Sequence, residues 1–234
     1  MVARSVLLIV FALLLSFPSQ AGMILRGSGG GGDFTTETFA NLNNWTEIGG
    51  NWGTIFSIVS NQLQGNTPSG GAFGGTVYNT QSSSLTQHAK MQFVSGYAPS
   101  PPYVSLIFRR TGTGGNKFYA VYWLSTTNNI GWSYWTDDLD LQPAADITSG
   151  TLGSVLADGE WIGAEVEGTG ADTVVRVWKW ASDPGERSSW GSASVTFTTD
   201  PGANACDTGL YIGIGMYKGA TSQETLDNWT GGPQ

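Results

Sequence analysis

Cysteine and histidine are almost absent from this sequence. Its 234 residues contain one of each, Cys206 and His88. A single cysteine excludes an intramolecular disulfide, and one His with one Cys leaves too few nitrogen and sulfur ligands for a typical zinc site. A Cys–His nucleophile pair would require folding to join two residues that lie far apart in the sequence. Stability therefore has to come from the hydrophobic core, or from a metal bound by oxygen ligands.

Basic residues are also scarce. Ten Lys and Arg residues stand against eighteen Asp and Glu, which gives a formal net charge of −8. Nucleic-acid binding requires a basic patch, so this balance argues against DNA and RNA as partners. An anionic membrane surface is disfavoured for the same reason. The glycine-rich stretches RGSGGGG (26–32) and TGTGGN (111–116) lack the Gly-Lys-Ser/Thr ending of a phosphate-binding loop.

Long hydrophobic runs are limited to one, near the N-terminus. Arg4 precedes an apolar run over residues 6–15, and Pro18 and the small-residue pattern Ser19-Gln20-Ala21 follow it. This order is typical of a secretory signal peptide cleaved after Ala21. A membrane anchor is the alternative, although the run is short for a membrane span.

The signal peptide sets the expected organisation of the chain. We predict a signal peptide over residues 1–21, a Gly-rich flexible linker over 22–32 and one folded domain over 33–234. The mature chain is expected to be secreted, and to be extracellular or at the cell surface. No membrane insertion is expected after signal cleavage.

Helical periodicity is missing, whereas strand and turn formers are plentiful. The sequence contains 34 Gly, ten Trp, eight Tyr and ten Phe residues, a composition typical of strands and tight turns. YVSLIF (103–108) and KFYAVYWL (117–124) flank TGTGGN, which predicts a hairpin. Both strands are apolar on both faces, which favours a central place in a sheet. Further strands are predicted at 51–65, 74–80, 88–96, 129–135, 160–168, 173–181, 192–199 and 209–219.

So many short strands separated by turn signals predict an all-β fold, a two-sheet antiparallel jelly-roll sandwich. Three stretches carry a more specific resemblance: LNNW (42–45) with VSNQL (59–63), FRR (108–110) with FYAV (118–121), and DGEWIGAEV (158–166). They resemble concanavalin A-like lectin/glucanase domains, a superfamily that includes laminin G-like modules. The resemblance spans residues 33–230 and specifies fold better than function.

Two similar segments lie near the ends of the chain, LNNWTEI (42–48) and LDNWTGG (226–232). In the resembled fold the terminal strands lie side by side, so Trp45 and Trp229 are expected to close one edge of the core. The same resemblance implies a structural Ca²⁺ ion held by Asp33 and Asp227, because related jelly rolls use acidic residues at these places. Calcium prefers such oxygen ligands. The alternative is that both aspartates are solvated turn residues.

The resembled superfamily also contains glycoside hydrolases, which use two carboxylates. Glu165 and Glu167 are spaced i, i+2 on one predicted strand face, which places their Cβ atoms roughly 6.5 to 7 Å apart. The glucanase signatures E-x-D-x-x-E and E-x-D-x-E are absent from the sequence. The alternative interpretation is an exposed strand face with two surface glutamates.

Aromatic side chains supply the other candidate site. A sugar ring can stack its apolar C–H face on an exposed indole while its hydroxyls bind nearby polar groups. Most tryptophans in a sandwich belong to the core, so about two or three of them are expected to be exposed. The candidates for ligand binding are Trp132, Trp135, Trp178, Trp180 and Trp190, with Arg176.

We therefore predict an exported, non-catalytic, lectin-like module that binds a carbohydrate or a surface glycoconjugate. One alternative is a self-assembling extracellular structural or adhesive surface protein, in which self-association buries the sandwich surface. A second alternative is a glycoside hydrolase or lyase with an atypical carboxylate pair.

Overall fold

The computed structural model describes residues 36–48, 56–65, 72–95, 103–112, 117–124, 127–136, 145–218 and 225–234. The predicted signal peptide, the predicted linker and Asp33 lie outside these residues, so those assignments stay predictions. Within the described ranges, no helix has the length and apolar character needed to cross a membrane.

The described residues form fourteen strands arranged in two antiparallel sheets of seven. The first sheet has the order β1-β4-β13-β6-β7-β8-β9, and the second has the order β12-β11-β10-β5-β14-β3-β2. The strands are β1 (Trp45–Ile48), β2 (Phe56–Val59), β3 (Gln62–Gly65), β4 (Ala72–Tyr78), β5 (Gln87–Ser95), β6 (Tyr103–Arg110), β7 (Phe118–Leu124), β8 (Asn129–Trp135), β9 (Ala145–Thr151), β10 (Trp161–Glu167), β11 (Val174–Trp180), β12 (Val195–Phe197), β13 (Tyr211–Lys218) and β14 (Thr225–Pro233). This architecture confirms the predicted all-β jelly-roll sandwich.

The central hairpin is confirmed. Strands β6 and β7 pair antiparallel, and each has a second neighbour, β13 and β8 respectively. Most residues of both strands are buried, because a central strand in a layered protein is covered on both faces. Apolar residues on both faces of these strands therefore correctly indicated their central position in the sheet.

Two strand predictions were wrong in detail. The stretch predicted as one strand over 51–65 contains two, β2 and β3, which pair with each other. The chain reverses at Ser60 and Asn61, whose φ values of 54° and 61° place both in the left-handed region that two-residue hairpin turns require. Strand β9 was missed because its sequence, ADITSGT, has a single large apolar residue and is half-buried.

The main core lies between the two sheets and follows strand alternation. On β10, Ile162, Ala164 and Val166 point inward, and Val175 and Val177 of β11 join them. The intervening residues of β10, Gly163, Glu165 and Glu167, therefore face the outer side of the sheet. That outer side carries the charged and aromatic groups considered below.

Trp45 and Trp229 meet as predicted. Their ring centroids are 4.8 Å apart in a T-shaped arrangement, and Tyr78 lies 5.3 Å from each of them. The strands that carry them do not pair, however, because β1 belongs to the first sheet and β14 to the second. The two tryptophans face each other across the core, and the similarity of the two segments reflects this shared packing position.

Candidate functional site

Two of the five candidate tryptophans are buried away from any open surface. Trp132 is fully buried in the main core, edge-on to Tyr119 at 5.2 Å. Trp135 is buried on the other side of the first sheet, where it stacks on Phe118 at 5.7 Å. These two candidates are therefore not among the exposed tryptophans, because β8 is an interior strand of its sheet and is covered on both faces.

The other three tryptophans form one cluster on the outer side of the second sheet. Trp178 and Trp180 lie on β11 with ring planes 9° apart, and Trp190 packs edge-on against both at 5.2 and 5.1 Å. Trp178 and Trp190 are buried, with 2% and 3% of their surface exposed. Trp180 is half-buried. Of the five candidates, Trp180 is the one that is not fully buried, and its role in ligand binding stays a prediction.

Trp190 belongs to the connection between β11 and β12, residues 181–194, which we call the strap. The strap crosses the outer side of the sheet and is held by two ion pairs, Arg187 Nε to Glu165 Oε2 at 2.6 Å and Lys90 to Asp183. The Arg187 guanidinium also lies over Trp178 and Trp190, 4.6 and 5.0 Å from their ring centroids. The strap therefore covers the surface on which sequence reasoning placed an open aromatic row.

The two candidate carboxylates are engaged by arginines. Glu165 is 1% exposed and accepts hydrogen bonds from Arg176 and Arg187 at 2.9 and 2.6 Å. Glu167 accepts a second hydrogen bond from Arg176 at 2.9 Å, and this bond holds the pKa of Glu167 below its usual range. A glycosidase acid requires a raised pKa, which the Glu167 carboxyl does not have. The two carboxylates and the two arginines form one ion-pair network. Arg176, predicted as a ligand contact, is part of the same network.

The two residues considered for nucleophilic chemistry are both buried. Burial raises the pKa of the Cys206 thiol to about 12, so the thiol is protonated at neutral pH. His88 lies on β5 with its ring edge-on to Trp190 at 5.5 Å. Both side chains therefore serve packing in this structure.

An open pocket of about 270 Å³ lies at the end of β11, beside Trp180. The pairing between β12 and β11 ends at Val177, and beyond it the Lys179 backbone N–H donates to Ser194 Oγ at 3.4 Å. The pocket is lined by Leu152, Gly153, Ser154, Glu160, Lys179, Trp180, Ala181 and Ser194. It therefore combines part of an indole with two hydroxyls and an ion pair.

Three polar groups in this pocket are tied together. Lys179 Nζ lies 2.8 Å from Glu160 Oε2 and donates hydrogen bonds to Ser154 Oγ at 2.7 Å and to the Val155 carbonyl at 2.6 Å. The same Glu160 oxygen accepts the backbone N–H of Ala157 at 2.7 Å. Sequence reasoning missed Lys179, Glu160 and Ser154, because they come from a strand and a loop whose proximity leaves no sequence signal.

Gly163 explains how the Trp180 side chain lies against the sheet. The Trp180 indole crosses diagonally toward β10, and a Cβ atom added at Gly163 would lie 2.8 Å from two ring carbons. The Trp180 Nε1–H also donates to the Trp190 carbonyl at 3.4 Å. A glycine on β10 and a backbone carbonyl of the strap therefore fix the ring at the pocket wall.

Comparisons with known proteins identify the fold. No protein-family model matches this sequence, and no curated protein matches it significantly. Among solved structures, the Lotus tetragonolobus seed lectin is 12% identical, with a TM-score of 0.52 over 85% of this chain and 96% of the lectin. The exoplasmic/lumenal domain of VIP36 in its Ca²⁺-bound form is 11% identical, with a TM-score of 0.53 over 83% of this chain and 87% of that domain. The Emp47p carbohydrate recognition domain is 10% identical, with a TM-score of 0.51 over 86% of this chain and 94% of that domain.

The fold is concanavalin A-like. This confirms the resemblance seen in the sequence, and at these identities the likeness concerns the fold alone. In this sandwich the Trp180 pocket lies between the end of β11 in the second sheet and residues 152–154, which follow β9 of the first sheet.

The predicted calcium site of this concanavalin A-like domain falls partly outside the described residues, because Asp33 is not among them. Asp227 is half-buried on β14, its Oδ1 accepts the Asn228 N–H at 2.7 Å, and burial raises the pKa of its carboxyl group. In the described ranges, no group of three His, Cys, Asp or Glu side chains could hold a metal ion. The pairing of Asp33 with Asp227 stays a prediction.

The segment before β1 runs antiparallel to β14. Glu37 forms a β-bridge with Trp229, and Thr36 Oγ1 lies 2.9 Å from Thr230 Oγ1. Followed from Glu37 back to Thr36, the chain therefore runs away from Asp227. The described geometry gives no support of its own to a shared site with Asp33.

Proposed function

We propose that this protein is an exported, non-catalytic module that binds a carbohydrate or a glycoconjugate in the Trp180 pocket. One observation carries the proposal: a half-buried indole borders an open pocket of about 270 Å³ that also contains hydroxyl and carboxylate groups. The seed lectin and the Emp47p carbohydrate recognition domain, which have the same fold, support the choice of ligand class.

The pocket matches the two faces of a sugar. Part of the Trp180 indole offers an apolar surface against which the C–H face of a pyranose can pack. Ser154, Ser194 and Glu160 offer hydrogen-bonding groups within the same pocket. Pockets for drug-sized ligands typically have volumes of about 300 to 1,000 Å³, and the Trp180 pocket is slightly smaller. We therefore expect the pocket to hold a glycan end of mono- or disaccharide size.

The non-catalytic part of the proposal rests on Glu165 and Glu167. Both carboxylates are bound to Arg176, and Glu165 is also bound to Arg187 beneath the strap. A substrate would have to displace the strap to reach Glu165. We therefore expect binding without release of reducing sugar.

The proposal of export rests on the predicted signal peptide over residues 1–21. A secreted, extracellular or cell-surface location gives a glycan-binding module access to glycans outside the cytoplasm. The VIP36 domain of the same fold is exoplasmic/lumenal, which agrees with this location.

Calcium stays part of the proposal as a structural ion at Asp33 and Asp227. The Ca²⁺-bound VIP36 domain and the potassium-bound form of the Emp46p domain show that related sandwiches hold cations. A carboxylate and carbonyl donor set suits Ca²⁺. If the ion binds, Asp227→Ala should abolish the rise in melting temperature that calcium gives over chelator, and an equal rise in wild type and variant would remove Asp227 from the site.

The test of the proposed function is a glycan-array screen of the chain from Gly22, with calcium and with chelator, and with an assay for released reducing sugar. Stacking of a nucleic-acid base on an aromatic side chain contributes roughly 1 to 3 kcal/mol, and we expect a similar loss of binding free energy when the Trp180 indole is removed. The best ligand should therefore bind Trp180→Ala about 5- to 150-fold more weakly than the wild type. Val59→Ala is the matched control, because Val59 is 44% exposed on β2, at the opposite edge of the same sheet.

Each outcome of this screen has a definite meaning. Unchanged affinity in Trp180→Ala, with an unchanged melting temperature, would mean that the glycan binds at a site other than the Trp180 pocket. Released sugar would favour the hydrolase alternative and make Glu165 and Glu167 the next residues to change. The absence of any glycan ligand would reject the proposal and favour the self-assembling surface protein, for which sedimentation in solution is the next measurement.

A further inference from the structure

We infer that the Trp180 pocket accepts uncharged sugars and rejects acidic ones, and that Glu160 sets this preference by occupying Lys179. This inference rests on the proposed function, because it names the class of glycan that the same pocket takes. It concerns the one cation that lines the pocket among the described residues.

Lys179 has no hydrogen-bond donor left for a ligand carboxylate. An ammonium group has three donors and no acceptor. The three acceptors around Lys179 Nζ are Glu160 Oε2 at 2.8 Å, Ser154 Oγ at 2.7 Å and the Val155 carbonyl at 2.6 Å. The side chains of Lys179 and Glu160 are 11% and 21% exposed, so water has limited access to this pair.

The pocket therefore presents no uncompensated positive charge. Glu160 neutralises Lys179, and the other lining residues in the described part of the chain carry no formal charge. The basic groups of the neighbouring outer surface are likewise paired: Arg176 with Glu165 and Glu167, Arg187 with Glu165, and Lys90 with Asp183. An acidic sugar would lose water around its carboxylate here without gaining a cationic partner, which is unfavourable.

The charge of the whole chain acts in the same direction. A formal net charge of −8 produces a negative field that slows the approach of anionic glycans and favours neutral ones. A neutral sugar needs only hydroxyl partners, which Ser154, Ser194 and the Glu160 carboxylate can provide. The selection is thus built from local pairing and long-range repulsion together.

The experiment compares neutral oligosaccharides with their uronic-acid counterparts, such as galactose and galacturonic acid oligomers of equal length, by array and then by calorimetry. The wild-type chain should prefer the neutral member of each pair by about tenfold or more. Glu160→Gln keeps the shape of the side chain but leaves Lys179 without its anionic partner, so it should reduce or reverse that ratio. Lys179→Met leaves Glu160 unpaired and should increase the ratio.

Glu167→Gln is the matched control, because Glu167 lies on the outer side of β10, is bound to Arg176 and does not line the pocket. It should leave the neutral-to-acidic ratio unchanged. Melting temperatures establish that each variant is folded, and if Glu160→Gln fails to fold, Lys179→Met carries the test. Equal or tighter binding of acidic glycans by the wild type would overturn the inference while leaving the proposed function standing. An unchanged ratio in folded Glu160→Gln would also overturn it, and no binding of either class would reject the proposed function itself.

Discussion

At the scale of single residues, Gly163 controls where the Trp180 indole lies. It sits on the outer side of β10, in register with Trp178, and the Trp180 ring crosses above it. Two ring carbons would lie 2.8 Å from a Cβ atom at this position, which is closer than carbon atoms tolerate. A methyl group here must therefore displace the ring that borders the pocket.

Gly163→Ala is expected to lower the free energy of unfolding by about 1 to 3 kcal/mol, the usual cost of overpacking, and to weaken glycan binding because the indole moves. Gly153→Ala is the matched stability control, since a Cβ atom there meets nothing within 4 Å. Urea unfolding of both variants measures the difference. Equal stability of the two variants would show that the Trp180 ring moves at no cost.

Glu165 is the second residue whose surroundings decide its role. It is 1% exposed, whereas Glu167, two residues later, has 37% of its side chain exposed. When the buried Glu165 carboxylate is neutralised, the guanidinium groups of Arg176 and Arg187 lose the negative charge that balances them, which is unfavourable. An exposed ion pair such as that of Glu167 contributes little to stability. The two glutamates lie two residues apart on the same strand face, but Glu165 is expected to contribute more than Glu167 to the free energy of unfolding.

Glu165→Gln should therefore destabilise the protein by about 1 to 3 kcal/mol, and Glu167→Gln by less than about 1 kcal/mol. Thermal unfolding at low and high salt measures both effects. If Glu165 were instead a catalytic group, its replacement would remove activity while stability stayed the same or rose. A melting temperature of Glu165→Gln at or above that of the wild type would contradict the structural role.

At the scale of elements, the strap turns a sheet surface into a second, smaller layer. Arg187 joins Glu165 to the rings of Trp178 and Trp190, and the Trp190 Nε1–H donates to the Gly185 carbonyl at 3.2 Å. These contacts bury two of the three clustered tryptophans. Trp180 stays half-buried because it lies at the end of β11, where the strap begins.

The far contact of the strap is the ion pair between Lys90 and Asp183. Burial alone would raise the pKa of Asp183, but the Lys90 ammonium and the Gly185 N–H outweigh it and hold the pKa below its usual range. A depressed carboxyl pKa stabilises the folded state above the unfolded pKa of about 3.9, and this contribution is lost as pH falls through the folded value. The strap should thus be held better at neutral pH than in acid.

Asp183→Asn should accordingly lower the melting temperature slightly at pH 7, because the Asp183 side chain is 55% exposed and exposed pairs contribute little. The difference from the wild type should shrink as pH falls below about 4. Differential scanning calorimetry between pH 7 and pH 3, with tryptophan fluorescence as a local probe, measures this. A difference that stayed constant with pH would mean that the Asp183 charge does not anchor the strap.

At the scale of the whole molecule, the strands of the two sheets were predictable because strand alternation and turn residues can be recognised in short stretches of sequence. The hairpin of β6 and β7 shows this, since two apolar faces indicated a central position. The surface of the second sheet was not predictable, because alternation tells which way Trp178 points but not that Arg187 and Trp190 return to cover it. The pocket was missed for the same reason: Lys179 and Glu160 meet only through tertiary structure.

The two terminal tryptophans provide the last prediction, because they couple the sheets of the sandwich. Trp45 enters from the first sheet and Trp229 from the second, with centroids 4.8 Å apart. Trp45→Phe and Trp229→Phe should each cost roughly 1 to 3 kcal/mol, since Phe fills less of either space. If the contact itself stabilises the sandwich, the double variant should lose less than the sum by about 0.5 to 1.5 kcal/mol. If the losses of unfolding free energy in the two single variants add up to the loss in the double variant, each tryptophan packs against its own sheet independently. The similar segments at 42–48 and 226–232 would then occupy two energetically independent positions.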